Sequence, residues 1–296
     1  MNLLVFGHGY SSDAFVRRVR PRFARVTSTV RSAAKADRLA AEGIEARLFD
    51  GGAAGREPVV DPALADDIAQ ADAVLVSVAP DESGDPVLRH VSQALRTAPR
   101  LSWIGYLSTV GVYGDHDGAW VDEATPVRPV SERSVRRVEA EEEWLTLGRQ
   151  SGKAVQVFRL AGIYGPGRNA LVNLREGSAK RLVKPGQVFN RIHVEDIAGA
   201  LEASLDRPSP GAVYNVTDDE PAPPQDVVTF AAGLLGVEPP PEQDFATAVL
   251  SPMARSFYSE NKRVSNRKLR EELGYALRYP TYREAHRALL AAGEGR

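Results

Sequence analysis

The chain of 296 residues contains no cysteine, which excludes disulfides, thiolate catalysis and cysteine-ligated zinc. Its five histidines are too scattered to suggest another metal site. Long apolar runs are also missing, because the first spans only residues 3–6 and none approaches the roughly 18 residues of a membrane span. The net charge of −2 offers no electrostatic footprint to nucleic acid or to an anionic membrane. We therefore expect a soluble cytoplasmic protein.

Short apolar runs recur along the chain and are separated by segments of helical spacing. Runs typical of buried strands occur at residues 2–6, 23–29, 44–49, 73–78, 101–107 and 154–160. Strands that alternate with helices predict a parallel sheet with helices on both faces. The expected fold class is therefore α/β, a Rossmann-type doubly wound parallel sheet, and 43% hydrophobic residues suffice for one large core and a smaller lobe.

A glycine-containing turn follows the first predicted strand. Its two glycines would let the backbone turn tightly and approach a pyrophosphate, whose charge suits the N-terminus of the next helix. Serine stands where the dinucleotide-binding pattern has a third glycine, and His8 is expected to be a spacer that faces solvent. A strand, turn and helix without a ligand is the alternative. The cofactor-binding residues predicted here are Gly7, Gly9, Tyr10, Ser11 and Ser12.

The end of the second predicted strand indicates which dinucleotide is bound. An acidic residue there would accept a hydrogen bond from the ribose 2′-hydroxyl, but the chain has no Asp or Glu between Asp13 and Asp37. Arg31 and Ser32 occupy the position instead, and a guanidinium beside a hydroxyl suits a phosphate dianion. We therefore predict NADP rather than NAD, with a solvated surface arginine as the alternative for Arg31.

Three further residues lie where later strands are expected to end. Asp50 follows the third strand and is predicted to accept from the adenine amino group, although an aspartate before two glycines is equally a turn former. Ser77 and Ala79 lie at the end of the fourth strand. Ligands of doubly wound sheets bind at this carboxyl edge, so both residues are predicted to line the cofactor site.

Five motifs after the glycine turn resemble those of the extended short-chain dehydrogenase/reductases, the NAD(P)-dependent epimerase/dehydratase family. The segment Ser-Thr-Val-Gly-Val-Tyr-Gly at residues 108–114 resembles the family's Ser-Ser-x-x-Val-Tyr-Gly signature. The others are Asp-Glu-Ala-Thr-Pro at 122–126, Arg-Leu-Ala-Gly-Ile-Tyr-Gly-Pro-Gly at 159–167, Arg-Ile-His-Val-Glu-Asp-Ile-Ala at 191–198 and Tyr-Asn-Val at 214–216. The resemblance covers nearly the whole chain. It implies a dinucleotide-binding domain at residues 1–165 and 191–217, and a small discontinuous C-terminal substrate-binding lobe at residues 166–190 and 218–296.

The same resemblance locates catalytic positions and also shows a departure. Thr109 takes the place of the family's catalytic Ser or Thr. The family's catalytic Tyr, and the Lys four residues later, fall on Arg133 and Arg137. An arginine can hold the nicotinamide ribose, but its pKa above about 12 makes it a poor general acid or base. The usual Tyr-x-x-x-Lys dyad is therefore missing.

Three interpretations of this departure stay open. In the first, another side chain supplies the proton, while Thr109 orients the substrate carbonyl and Arg137 stabilises negative charge on its oxygen. In the second, the chain is a catalytically silent NADP-binding regulator. In the third, Arg133 and Arg137 bind an anionic substrate group, with a solvated helix face as the alternative for both. The proton donors considered are Tyr113, Tyr164 and His193; structural roles are the alternatives for Tyr113 and His193.

The C-terminal third is expected to contribute substrate contacts. Arg168, after the Tyr-Gly-Pro-Gly break, is predicted to meet an anionic small-molecule substrate, and residues 253–263 are predicted to close over it. The charged helix predicted at residues 131–148 would make a poor apolar interface, so we expect a monomer or a weak homodimer. The expected function is that of an NADP-binding oxidoreductase acting on a carbonyl, an alcohol or a nucleotide-sugar-like molecule.

Overall fold

An eight-stranded sheet is the centre of the computed structural model, which describes residues 1–52 and 57–295. In chain order the strands are β1 (Asn2–Phe6), β2 (Arg25–Val30), β3 (Glu45–Asp50), β4 (Val59–Val60), β5 (Ala73–Val76), β6 (Trp103–Thr109), β7 (Trp120–Val121), β8 (Ala154–Leu160), β9 (Gly162–Tyr164), β10 (Arg181–Val183), β11 (Arg191–His193), β12 (Val213–Val216), β13 (Glu242–Asp244) and β14 (Arg263–Val264). The helices are α1 (Tyr10–Val19), α2 (Ala33–Ala41), α3 (Leu64–Gln70), α4 (Pro86–Thr97), α5 (Glu132–Ser151), α6 (Ala170–Arg175), α7 (Val194–Asp206), α8 (Pro224–Leu235), α9 (Pro252–Phe257), α10 (Arg267–Glu271) and α11 (Tyr282–Ala291). Short 3₁₀ helices occur at Arg20–Arg22 and Val110–Tyr113.

The order of strands across the large sheet is β12-β8-β6-β5-β1-β2-β3-β4. Neighbouring strands are parallel except at the edge, where the short β4 is antiparallel to β3. The chain builds outward from β1 in both directions, with β2 on one side and β5 on the other. The sheet is therefore doubly wound with its switch point beside β1, which confirms the predicted fold class.

Side chains of the sheet alternate between two hydrophobic cores. In β1, Leu3 and Val5 belong to the core that includes residues of α1, α2 and α7, whereas Leu4 and Phe6 belong to the core that includes residues of α3, α4 and α5. The alternation follows from the two-residue period of a strand, and burial on both faces explains why the strands read as continuous apolar runs. Packing from both sides fixes the row of strand ends on which the site is built.

Helix α5 carries Arg133 and Arg137, the two arginines on which the resemblance places catalytic positions. It begins after Ser131, whose hydroxyl accepts a hydrogen bond from the Ser134 N–H, and ends at Gly152, whose φ of 71° is left-handed. Ala140, Trp144 and Leu147 lie on its buried face. Although α5 is 20 residues long, neither it nor any other helix in the described part of the chain is apolar enough to cross a membrane.

A third hydrophobic core lies outside the large sheet. Tyr164 forms it together with residues of α6, α8 and α11, among them Leu171, Val227 and Tyr282. Two small parallel pairs, β9 with β11 and β10 with β13, accompany these helices. Most of these elements fall in the predicted substrate-binding lobe, and the domain boundaries themselves stay a prediction.

Candidate functional site

Gly7 turns the chain at the end of β1. Its φ of 87° lies in the left-handed region that favours glycine, and a Cβ there would lie 2.9 Å from Val78 Cγ2. The Gly7 N–H donates to Thr29 Oγ1 at 2.9 Å, which ties the turn to β2. The turn therefore occupies the narrow space between the ends of β2 and β5.

Ser12 closes this turn in place of a third glycine. Its buried hydroxyl donates to the Gly7 carbonyl oxygen at 2.8 Å and accepts from the Gly9 N–H at 2.7 Å. The serine thus keeps the turn tight by hydrogen bonding. No side chain among the described residues caps α1, so the N–H groups of its first turn, at Tyr10 and Ser11, are available to an anion.

His8 is buried, so its prediction as a solvent-facing spacer is wrong. The imidazole is 6% exposed, with Nδ1 3.0 Å from Ser28 Oγ and Nε2 3.3 Å from Asp13 Oδ1. Burial lowers its pKa from the ordinary value. The ring folds back on β2, and Lys35 Nζ donates to the His8 carbonyl oxygen. Lys35 therefore brings to the turn a cation that no local sequence pattern predicts.

Arg31 and Ser32 follow β2 at the same edge of the sheet. Both side chains are exposed, and within residues 1–52 and 57–295 neither has a hydrogen-bonding or ion-pair partner. Ser32 is the N-cap residue of α2, yet its hydroxyl does not cap the helix. A guanidinium, a hydroxyl and a helix N-terminus thus present donors that need an acceptor, which suits a phosphate.

The other predicted cofactor residues lie along the same edge. Asp50 is the partly buried last residue of β3. The Ser77 N–H donates to the Phe6 carbonyl oxygen at 2.8 Å, and Ala79 is exposed two residues later. Together with the glycine turn they form a row across the switch point, where doubly wound sheets bind ligands. The residues present fit a dinucleotide, with a helix N-terminus for its pyrophosphate and free donors beyond it.

Thr109 ends β6 at this edge. Its Oγ1 accepts from the Gly111 N–H at 3.1 Å, and this leaves the hydroxyl proton free to be donated. A Cβ on Gly111 would lie 3.4 Å from Thr109 Oγ1 and 3.1 Å from Ser134 Oγ on α5. Gly111 therefore allows Ser134, in the first turn of α5, to pack against the Thr109 turn; Arg133 is the preceding residue of that helix.

Arg137 lies one turn further along α5 and is partly buried. Its Nη1 donates to the Tyr106 hydroxyl at 2.9 Å and to the Leu107 carbonyl oxygen at 2.7 Å, and its guanidinium carbon lies 5.6 Å from the centre of the Tyr106 ring. Burial raises the pKa of Tyr106, so this partner is uncharged. The other guanidinium nitrogens have no partner among the described residues, so they remain available at the end of β6.

Arg133 is exposed and contacts an aromatic ring from the C-terminal third. Its guanidinium carbon lies 5.2 Å from the centre of the Phe257 ring, at the end of α9. All of α9 except its first residue lies within residues 253–263, the segment predicted to close over substrate. The same segment borders a cavity of about 490 Å³ whose lining includes Lys184, Asn261 and Arg263. The structure thus brings this segment to the helix that carries Arg133.

Tyr113 is fully buried among residues near the ends of β8 and β12. Its hydroxyl donates to Asn215 Oδ1 at 2.8 Å and accepts from Arg159 Nη1 at 2.9 Å. Arg159 in turn forms a buried ion pair with Glu141 of α5, with Nη2 2.7 Å from Oε2. Burial raises the pKa of Tyr113. The structure therefore makes Tyr113 part of an interior network and does not bring it to the cleft as a proton donor.

The other two predicted proton donors are also interior. Tyr164 is 7% exposed, its hydroxyl has no partner among the described residues, and burial raises its pKa. His193 is 2% exposed, and its Nδ1 accepts from the Glu195 N–H at 3.2 Å, which caps α7. The two rings contact each other edge to face, with centres 5.4 Å apart. Both groups are therefore buried, and a Cβ on Gly165 would lie 3.3 Å from His193 Nε2 and 2.7 Å from the Tyr10 hydroxyl.

Arg168 lies beside the glycine turn. Its guanidinium carbon is 6.0 Å from the centre of the Tyr10 ring, and the Tyr10 hydroxyl donates to the Pro166 carbonyl oxygen at 2.9 Å. Burial raises the pKa of Tyr10 to about 12, so the phenol stays neutral. No carboxylate in the described ranges pairs with Arg168. The predicted substrate residue and the predicted cofactor turn are therefore neighbours.

Because His193 is buried, we expect the free energy of unfolding to depend on pH. Burial lowers its folded-state pKa to about 4 from 6.5, so the unfolded chain takes up a proton between these values and the folded chain does not. Stability therefore falls as pH falls through this window, by about 2 kcal/mol from this group between about pH 8 and pH 5. His193→Asn keeps an N-cap side chain and removes the titration. In chemical denaturation the variant should lose correspondingly less stability over the same range; an unchanged pH slope would contradict this account.

The doubly wound sheet with its glycine turn at the switch point is the architecture of the extended short-chain dehydrogenase/reductases, the NAD-dependent epimerase/dehydratase family. The dTDP-glucose 4,6-dehydratase of Bacillus anthracis, solved with NAD, has a similar fold, with a TM-score of 0.77 and 18% sequence identity. The match covers 99% of this chain and 97% of the dehydratase chain. A functionally unknown conserved protein from Silicibacter pomeroyi DSS matches 99% of both chains with a TM-score of 0.88 at 49% identity.

The chain belongs to the family of protein YeeZ from Escherichia coli K12. The two sequences are 33% identical over 233 residues, which are 76% of this chain and 77% of YeeZ. No protein-family model matches the chain. The described residues contain no group of three or more His, Asp or Glu side chains placed to hold a metal ion.

Proposed function

We propose that the chain binds NADP(H) along the carboxyl edge of the sheet and is an oxidoreductase for the carbonyl or alcohol of a small molecule. The observation that carries the proposal is the Gly7 to Ser12 turn at the switch point, next to an uncapped helix N-terminus and the free Arg31. The dehydratase of the same fold was solved with NAD, which supports a nicotinamide dinucleotide. Such a cofactor supplies or accepts a hydride when it is bound.

Different residues along this edge are proposed to bind different parts of the cofactor. The first-turn N–H groups of α1 hold the pyrophosphate, and Arg31 with Ser32 holds a ribose 2′-phosphate. Asp50 accepts from the adenine amino group, while Ser77 and Ala79 line the path between the two halves of the site.

The chemistry falls to Thr109 and Arg137. The Thr109 hydroxyl accepts a hydrogen bond from the Gly111 N–H, so its own O–H can donate a hydrogen bond to a substrate oxygen. The free N–H groups of Arg137 stabilise negative charge that develops on that oxygen, or hold the ribose. Because Tyr113, Tyr164 and His193 are buried, water supplies the proton that completes the reduction to an alcohol.

Turnover tests the function directly. The purified chain is incubated with NADPH and a panel of aldehydes, ketones and keto acids, and loss of NADPH absorbance is followed. Consumption that depends on both a carbonyl substrate and the Thr109 hydroxyl, lost in Thr109→Val, supports the proposal. No consumption with any substrate, in a preparation that binds NADPH, would reject the catalytic part.

The cofactor preference is tested at Arg31. Arg31→Ala removes a charge-assisted contact to the 2′-phosphate, so we expect NADPH to bind about 10- to 100-fold more weakly and NADH to bind unchanged. Fluorescence titration measures both affinities. Arg38→Ala is the matched control, because Arg38 is an exposed arginine on the neighbouring helix α2. An unchanged NADPH-to-NADH affinity ratio in Arg31→Ala would overturn the assignment of NADP.

A catalytically silent NADP-binding regulator is the second candidate. The observation that favours it is the burial of all three side chains that could have replaced the family's catalytic tyrosine. Tight NADP binding without turnover, together with a partner protein whose binding changes between NADP and NADPH, would favour the regulator. Turnover with any carbonyl substrate would exclude a purely regulatory role.

A further inference from the structure

Helix α5 presents two guanidinium groups that lack acidic partners. Arg136 pairs with Glu132 at 3.1 Å and Arg149 with Glu142 at 2.5 Å on the same helix. Arg133 and Arg137, by contrast, have no carboxylate within reach among the described residues. Among the arginines of α5, these two are thus the ones without an ion pair in the described part of the chain. The charge of Asp85 interacts with Arg137 at longer range. A site for an anion has this electrostatic character.

The contact between Arg133 and Phe257 leaves the hydrogen-bond donors of the guanidinium unused. A guanidinium over an aromatic face makes a cation–π contact that uses none of its five N–H groups as hydrogen-bond donors. Among the described residues, these donors of Arg133 have no hydrogen-bond partner. Such a planar fork binds a carboxylate or a phosphate through two parallel hydrogen bonds.

Phe257 adds a second element of recognition. Its ring is 52% exposed although it is large and apolar, and it lies on α9 from the C-terminal third of the chain. Val130, just before α5, is also exposed, at 58%. An apolar surface next to an unpaired guanidinium is complementary to a molecule that joins an anionic group to an apolar body.

The distance to the reacting group is set by α5. Arg133 adjoins Ser134, whose hydroxyl lies 3.1 Å from where a Cβ on Gly111 would be, and Gly111 donates to Thr109. An anion on Arg133 would be bound at the end of α5 that packs against the Thr109 turn. A substrate of modest size can reach both groups at once.

We propose that Arg133 and Phe257 form a substrate anchor for a small molecule that carries a carboxylate or phosphate on an apolar, ring-sized body. This rests on the proposed function, since it names the substrate class of the same site. Arg133 binds the anionic group through its outward N–H edge. Phe257 packs against the apolar body and holds the guanidinium plane in place. The position that carries the family's catalytic tyrosine thus becomes a specificity-determining one.

Four simple probes test the anchor on the full chain saturated with NADP. Benzoate and phenyl phosphate each join an anionic group to an apolar ring. Benzamide has a neutral amide in place of the carboxylate, and inorganic phosphate lacks the apolar ring. We expect calorimetric binding of benzoate or phenyl phosphate, with benzamide and inorganic phosphate at least about tenfold weaker. Whichever of benzoate and phenyl phosphate binds more tightly identifies the anionic group.

Variants locate the binding. Arg133→Gln should weaken the better probe by about tenfold or more, and Phe257→Leu by several-fold, whereas Arg136→Gln on the same helix should bind like the parent. Equal affinity for benzoate and benzamide, no binding of either anionic probe, or Arg133→Gln binding like the parent would each overturn the proposal. If inorganic phosphate binds as tightly as phenyl phosphate, the proposed contact between Phe257 and an apolar body of the substrate is wrong. Saturation with NADP, measured first, separates these failures from a failure of the proposed function.

Discussion

Glu141→Ala is expected to lower the free energy of unfolding by about 3–5 kcal/mol, because it leaves the Arg159 charge buried without its partner. The two side chains are 4% and 7% exposed and share three hydrogen bonds. Glu141 also accepts from the Ser108 hydroxyl, next to Thr109. The ion pair thus fastens α5 to β6 and β8 directly beneath the proposed site. Urea denaturation of the parent and the variant measures the difference.

A matched control lies one residue away on α5. Glu142 pairs with Arg149 at the surface, so Glu142→Ala should change the free energy of unfolding by less than about 1 kcal/mol. Glu141→Gln keeps a hydrogen-bonding side chain and should fall between the two. If Glu141→Ala and Glu142→Ala are equally mild, the interior network does not hold α5 in the way described.

Gly9→Asp is expected to abolish dinucleotide binding without unfolding the protein. Gly9 is the N-cap residue of α1 with φ −117° and ψ −168°, an extended conformation that aspartate adopts readily. Aspartate is also a preferred N-cap residue, so the stability of the fold should be kept or slightly raised. Its charge, however, would lie at the helix N-terminus where the pyrophosphate is proposed to bind. Repulsion at close range is expected to weaken NADPH binding roughly 100- to 1,000-fold.

Asparagine provides the neutral control for this substitution. Gly9→Asn has nearly the same size and the same N-cap preference as aspartate but carries no charge. We expect it to weaken NADPH binding far less than Gly9→Asp, while both variants melt at or above the parent's temperature. Equal NADPH affinity in the two variants would show that no anion binds at this helix N-terminus.

The large elements of the fold could be predicted from the sequence because their signals are local. The strands at β1 and β8 and the helices α2 and α11 are apolar or amphipathic runs with clear ends, and their alternation fixes the sheet type. Helix α4 was not predicted, although Val87, Val91 and Leu95 recur at helical spacing after a capping Asp85 and Pro86. That signal was present in the sequence and was not used.

The site was predictable where it follows strand ends and not where it depends on side-chain direction. Gly7, Arg31 and Thr109 lie at the ends of β1, β2 and β6, and parallel strands bring such positions to one edge. The burial of His8 and Tyr113 depends on contacts with Ser28 and Asn215, which are distant in sequence. Periodicity carries no information about contacts of that kind.

The replacement of the family's dyad has a different meaning for each arginine in this account. Arg137 is tied to β6 by two hydrogen bonds and is placed where it can hold the ribose or an anionic oxygen. Arg133 contacts an aromatic ring from α9 and, among the described residues, has no hydrogen-bond or ion-pair partner. Neither is a proton donor, so the account requires chemistry in which water completes the reaction.

The measurement that tests the central claim most directly is a fluorescence titration of the unmodified chain with NADPH and with NADH. The account predicts saturable one-to-one binding of NADPH, with NADH binding at least about tenfold more weakly because it lacks the phosphate that Arg31 and Ser32 are proposed to hold. Absence of saturable binding of either nucleotide would contradict the claim that the edge from Gly7 to Ser12 is a dinucleotide site.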